Sequence, residues 1–170
     1  MKPTTAMTTK KLRGTVPGEL VKVFVGSTSV FGIVIATDPR VQVIGLLQPV
    51  GHIPYASHAD LNPEKGCIAF GQDWVIRPVL SDESWFGNSQ FFDSPGCLFL
   101  SGEEYFTVFK QSPDDYNHTE ITFNLSASKM DTFQSSSAVP ISSWEIWEKE
   151  SDLSVPGAAP LLTVSAWSTT

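Results

Sequence analysis

Residues 19–48, ELVKVFVGSTSVFGIVIATDPRVQVIGLLQ, hold three β-branched runs separated by two turn signals. Val21, Val23 and Val25 alternate with Leu20, Lys22 and Phe24, whereas residues 30–37 and 41–48 are nearly continuous in apolar side chains. Gly26-Ser27-Thr28-Ser29 makes the first connection, with Gly supplying any left-handed backbone the turn demands. Thr37-Asp38-Pro39-Arg40 makes the second, where Pro39 presets φ for a type I turn and Asp38 accepts from the turn backbone. Strands joined by such short connections pair as neighbours, so this stretch dictates an antiparallel meander. Gly32 and Gly45 fall inside their strands, at positions that suit a bulge, a bend or the close approach of another element.

Strand character resumes at residues 67–80, 97–100, 105–111, 119–125 and 161–167, and no helix longer than three turns is clearly written. No internal repeat is visible. The expected fold class is all-β, or mainly β with short helical turns. Its architecture is expected to be an antiparallel small barrel or sandwich, with the N-terminal meander suited to an SH3-like barrel. Residues 1–16, rich in Thr, Lys and Pro, are expected to form a flexible basic tail, and residues 17–170 a single β-rich globular domain. Residues 49–66 show little strand pattern and are expected to form a long loop.

Charge is distributed unevenly. Lys2, Lys10, Lys11 and Arg13 lie in an acid-free head, leaving 7 basic against 18 acidic residues beyond it, a balance of −11. A body with that field repels phosphate backbones, so no nucleic-acid partner is expected. No apolar run approaches the ~20 residues of a membrane span, and the polar head lacks the apolar core of a secretory signal. A cytoplasmic protein without a membrane partner is the expectation. Cys67 and Cys97, the only cysteines, are expected as buried thiols rather than a disulfide, and neither belongs to a CxxC.

Candidate sites are few. The metal candidates are His52, His58, Asp60 and Cys67, with Glu64 nearby, since imidazole, carboxylate and thiolate together suit a transition metal. The six-residue spacing of the two histidines matches neither a helical nor a strand presentation, so no metal and no cofactor are expected. No G-x-S-x-G elbow positions a nucleophile, and Ser101 before Gly102 reads as a turn serine. The acid pairs Glu103-Glu104 and Asp114-Asp115 fall in turn-like segments that face water, so no catalytic residue is assigned.

The aromatic residues are more informative. Trp85, Phe86, Phe91 and Phe92 lie in a segment otherwise made of Ser, Asp, Asn and Gly, and Trp144 and Trp147 stand among Glu145, Glu148, Glu150 and Asp152. Large rings rimmed by acids are typical of surfaces that bury on association, the competing assignment being barrel core. The expected function is therefore a non-enzymatic protein–protein interaction or assembly module, with an acidic, aromatic-bearing surface and a protein partner or self-association into an oligomer. The alternative is a small-ligand-binding barrel or small hydrolase with a lid at residues 49–66.

Overall fold

The computed structural model describes residues 7–47, 57–81, 95–110 and 120–165. Among these residues the chain is mainly β. The first strands are β1 (Thr8–Lys11), β2 (Leu20–Val25), β3 (Thr28–Thr37), β4 (Gln42–Leu47), β5 (Ser57–Leu61), β6 (Gly66–Gly71) and β7 (Val75–Pro78). There follow β8 (Leu98–Ser101), β9 (Glu104–Lys110), β10 (Glu120–Asn124), β11 (Lys129–Met130), β12 (Val139–Ile141), β13 (Ser143–Trp147) and β14 (Leu162–Ser165). Short 3-10 turns occupy Leu12–Gly14, Ser135–Ser137 and Glu150–Ser154. No described helix is long and apolar enough to cross a membrane.

An 11-stranded sheet runs β1-β6-β2-β3-β4-β5-β9-β10-β11, with β12 attached through β8 to β9, and a 3-stranded sheet runs β14-β13-β7. The β2–β3–β4 meander forms as its β-branched runs require. Among the described residues no ladder joins β5 to β6, so this end of the sheet does not close into a hydrogen-bonded barrel. The sheet instead continues through one parallel bridge, Ser57 to Lys110, into the second half of the chain.

The two halves repeat one another. Pro17-Gly18-Glu19-Leu20 leads into β2, and Pro95-Gly96-Cys97-Leu98 leads into β8. Gly18 and Gly96 take φ of +82° and +83°, a left-handed conformation open to glycine at little cost. Each amide then donates to a valine on the following hairpin, Val34 at 2.8 Å and Val108 at 3.2 Å. The β2–β3 and β8–β9 hairpins both turn on a glycine with positive φ, Gly26 at +60° and Gly102 at +63°, as a II′ turn needs. In each half a later strand returns to the first, Gly71 opposite Leu20 and Ile141 opposite Leu98. Three residues further on stands a tryptophan in each case. Trp74 donates to the Gly18 carbonyl at 3.0 Å and Trp144 to the Gly96 carbonyl at 2.8 Å. β7, which starts just after Trp74, then pairs antiparallel with β13, which carries Trp144, and Ile76 lies opposite Ile146, so an approximate two-fold passes between equivalent residues. The repeat is invisible as a sequence period because its connections differ in length and only a few scattered residues coincide.

Burial follows the same plan. Leu20, Ile35, Leu47, Phe70, Leu98, Phe109, Phe123, Leu125, Ile141, Trp144 and Ile146 form one core shared by both halves. The outer face of each half has its own smaller core, Leu12 with Val21, Val23, Val34, Ile44 and Cys67 in the first, and Cys97 with Phe99, Phe106 and Val108 in the second. Gly45 shows why the shared core needs a missing side chain. A Cβ there would lie 2.5 Å from the Phe109 ring, which crosses from the other half.

Two segments differ from the sequence expectation. Much of the basic tail expected over residues 1–16 is ordered from Thr8: β1 pairs with β6, and Leu12 is completely buried. Carboxylates elsewhere in the chain draw it in, Glu19 to Lys10 at 2.7 Å and Glu64 to Lys11 and Arg13 at 2.6 and 2.7 Å. Within the loop expected at 49–66, residues 57–61 form β5. Ser-His-Ala-Asp-Leu has no β-branched residue, and its strand conformation comes from a five-residue ladder on β4.

Candidate functional site

An open groove of about 510 Å³ is lined by residues of β1, β6 and β2. Strand register builds it. Thr9 lies opposite Ile68, Ile68 opposite Lys22 and Lys22 opposite Phe31, so a single row crosses four strands on one face of the sheet. In the next row Lys11 lies opposite Gly66, and nothing comes within 4 Å of where a Gly66 Cβ would stand. The groove owes its depth there to the missing side chain. Val21 and Val23 alternate with Lys22 and Phe24, turning their own side chains into the core behind the sheet.

The groove combines apolar and cationic groups. Phe24, at the end of the long β2–β3 hairpin, is 57% exposed although it is one of the largest apolar side chains in the chain. Lys22 places its ammonium 4.9 Å from the centre of the Phe31 ring, which in turn tilts against Phe70 at 5.5 Å. Lys10 is held by the buried Glu19, which also accepts from the Val16 amide at 3.2 Å. Glu64 bridges Lys11 and Arg13, and these cations hold its carboxyl below the usual carboxylate range. Lys10, Lys11 and Arg13 pair with Glu19 and Glu64, and Lys22 lies over a ring, so four cations against two carboxylates give a locally cationic strip on a molecule whose formal charge is −7.

The described part of the second half is built differently at the matching place. β8 has four residues where β2 has six, so its hairpin has already turned at the place matching Phe24, and among the described residues no strand covers β12 as β1 covers β6. Pro140 lies at the middle of β12 and removes a donor that an added strand would need.

The residues singled out from sequence are placed differently. Trp144 is 0% exposed and Trp147 5%, so both belong to the interior in this conformation rather than to an open surface. The acid that suggested a wet rim explains the burial: Glu145 accepts from the Trp147 indole at 2.8 Å, satisfying its N–H. Trp85, Phe86, Phe91 and Phe92 lie outside the described residues, as does His52. His58 and Asp60 sit two apart on β5, opposite Gly45 and Val43 of β4, while Cys67 lies on β6 in the outer core of the first half. No group of three or more His, Cys, Asp or Glu among the described residues is arranged to hold a metal. Cys67 and Cys97 are free and buried; burial pushes both thiols up, Cys97 to about 12.

Sequence reading passed over Thr9, Lys11, Lys22, Phe24, Gly66 and Ile68. The available signal was a lysine and a phenylalanine alternating on β2 with valines that line the other face. Comparison with protein-family models, curated proteins and solved structures found no match.

Proposed function

We propose that this protein is a non-enzymatic interaction module, and that its β1–β6–β2 groove takes an acidic segment of a protein partner bearing aliphatic side chains. The observation that carries the reading is Phe24, a large apolar side chain left 57% exposed beside Lys22 and Lys11. Exposed rings in a groove are typical anchors for association, and cations at its rim favour an acidic partner by steering and by fixing orientation. An open groove across three strands suits a chain segment better than a small molecule, which is ordinarily enclosed on most sides. An SH3-like relationship of the first half is part of the same reading. It is supported by β6 returning to β2 beside the β2–β5 meander, and the fold alone does not carry the function.

Fluorescence anisotropy with a labelled peptide alternating Glu and Val tests this. The wild-type chain should bind it, and Lys22→Glu and Phe24→Ser should each weaken binding at least tenfold, about 1.4 kcal/mol or more. Binding unchanged in both variants refutes the groove as the docking site. Phe24 is exposed and Lys22 half-buried, so neither belongs to a core, and unchanged circular dichroism would confirm that the variants fold.

A further inference from the structure

We infer that the occupant of the groove is the acidic turn at residues 150–155 of a second copy of this chain, docked head to tail. The inference rests on the docking role proposed above and names the partner. The 3-10 turn Glu150–Ser154 buries none of its residues and carries Glu150 and Asp152 in its first turn. Leu153 is 36% exposed and Val155 53%. Two carboxylates and two open aliphatic side chains thus occur within six residues. The groove offers the complement, Lys11 and Lys22 for the carboxylates and Phe24 and Ile68 for the aliphatic groups.

The segment is also ordered before it docks. Asp152 donates its amide to the Lys149 carbonyl at 3.1 Å, Val155 to the Asp152 carbonyl at 3.2 Å, and the Ser154 hydroxyl to the Ser151 carbonyl at 3.0 Å. A preformed turn loses less conformational freedom on binding than a flexible strand would. The groove and the turn are different patches of one molecule, so one contact leaves a free groove on one copy and a free turn on the other. Docked head to tail, the copies continue into rings or filaments, whereas reciprocal docking of the same two patches would close a two-fold dimer.

Sedimentation velocity across a hundredfold range of protein concentration tests this on the full chain. Wild type should show a sedimentation coefficient that rises with concentration and falls back as salt screens the charges. Lys11→Glu/Lys22→Glu should weaken association at least tenfold, and so should Glu150→Lys/Asp152→Lys. Mixing the two charge-reversed proteins should restore association, because each then presents a patch complementary to the other. That rescue excludes simple misfolding of either variant. Association that ignores both variants, or a mixture that stays monomeric, overturns the proposal. Wild type that is monomeric throughout yet binds the Glu-Val peptide through Lys22 and Phe24 overturns self-docking and leaves the groove reading standing. A chain that neither associates nor binds the peptide overturns both.

Discussion

Trp144 and Trp74 occupy equivalent places in the two halves and make the same hydrogen bond, but in different surroundings, so the same substitution should have unequal costs. Replacing Trp144 with Phe removes the donor that satisfies the Gly96 carbonyl, in a site with no solvent exposure. Leaving a buried acceptor unpaired costs ~1–3 kcal/mol. The smaller ring also vacates roughly 40 Å³, which at ~24 cal/mol per Å³ of cavity adds about 1 kcal/mol. Trp144→Phe should therefore destabilise the fold by about 2–4 kcal/mol. Trp74 is half-buried, and its bond to the Gly18 carbonyl is slightly longer at 3.0 Å. Water can reach the freed carbonyl, so Trp74→Phe should cost only about 1 kcal/mol. Urea titration followed by circular dichroism measures both, with unchanged m-values showing that the unfolded states are comparable. If Trp144→Phe costs less than 1 kcal/mol, or if Trp74→Phe costs the more of the two, the assignment of Trp144 to the shared core and the graded two-fold are refuted.

Gly45→Ala should cost about 1–3 kcal/mol in the same urea titration, since its methyl group would overlap the Phe109 ring, which must shift within a filled core; a neutral result would mean that the halves do not meet there. Cys97 should react with thiol reagents much more slowly than an unfolded control at pH 8. Its folded pKa lies above the unfolded value, 9.0 raised to about 12, so its contribution to stability is complete below pH 9 and is lost as pH rises from 9 through 12. Comparing wild type with Cys97→Ala over that window isolates the effect; parallel curves would contradict it. Glu64→Gln should tighten binding of the Glu-Val peptide about two- to fivefold by releasing Lys11 and Arg13 from a carboxylate they now share, and weaker binding in the anisotropy assay would contradict the proposed role of Lys11.

The meander at residues 19–48 is legible because β-branched runs and short turns leave its strands no other neighbours. β5 is not, because Ser-His-Ala-Asp-Leu takes its conformation from β4 rather than from its own side chains. The internal repeat leaves marks that look trivial in one dimension: Pro-Gly-x-Leu before a strand, glycine at a hairpin turn, tryptophan three residues past a return strand. Their equivalence emerges only when the pairings of Leu20 with Gly71 and Leu98 with Ile141 are known. The acids around Trp144 and Trp147 leave surface and core both open in the sequence, because on a strand adjacent residues face opposite ways and one of those acids serves a buried indole. The groove was the least accessible feature. Its lining comes from Thr9, Lys22 and Ile68 on three strands that are not consecutive, and it exists only because a segment read as a tail pairs with β6.

The central claim is that the β1–β6–β2 face is where this protein meets its partner. Titrating the 15N-labelled chain with the Glu-Val peptide and following amide chemical shifts tests that claim residue by residue. Shifts concentrated at Thr9, Lys11, Lys22, Phe24 and Ile68, with β7, β13 and β14 unmoved, are the predicted result. Saturable shifts centred on the β7–β13–β14 sheet instead, or no saturable shifts at all, would contradict it.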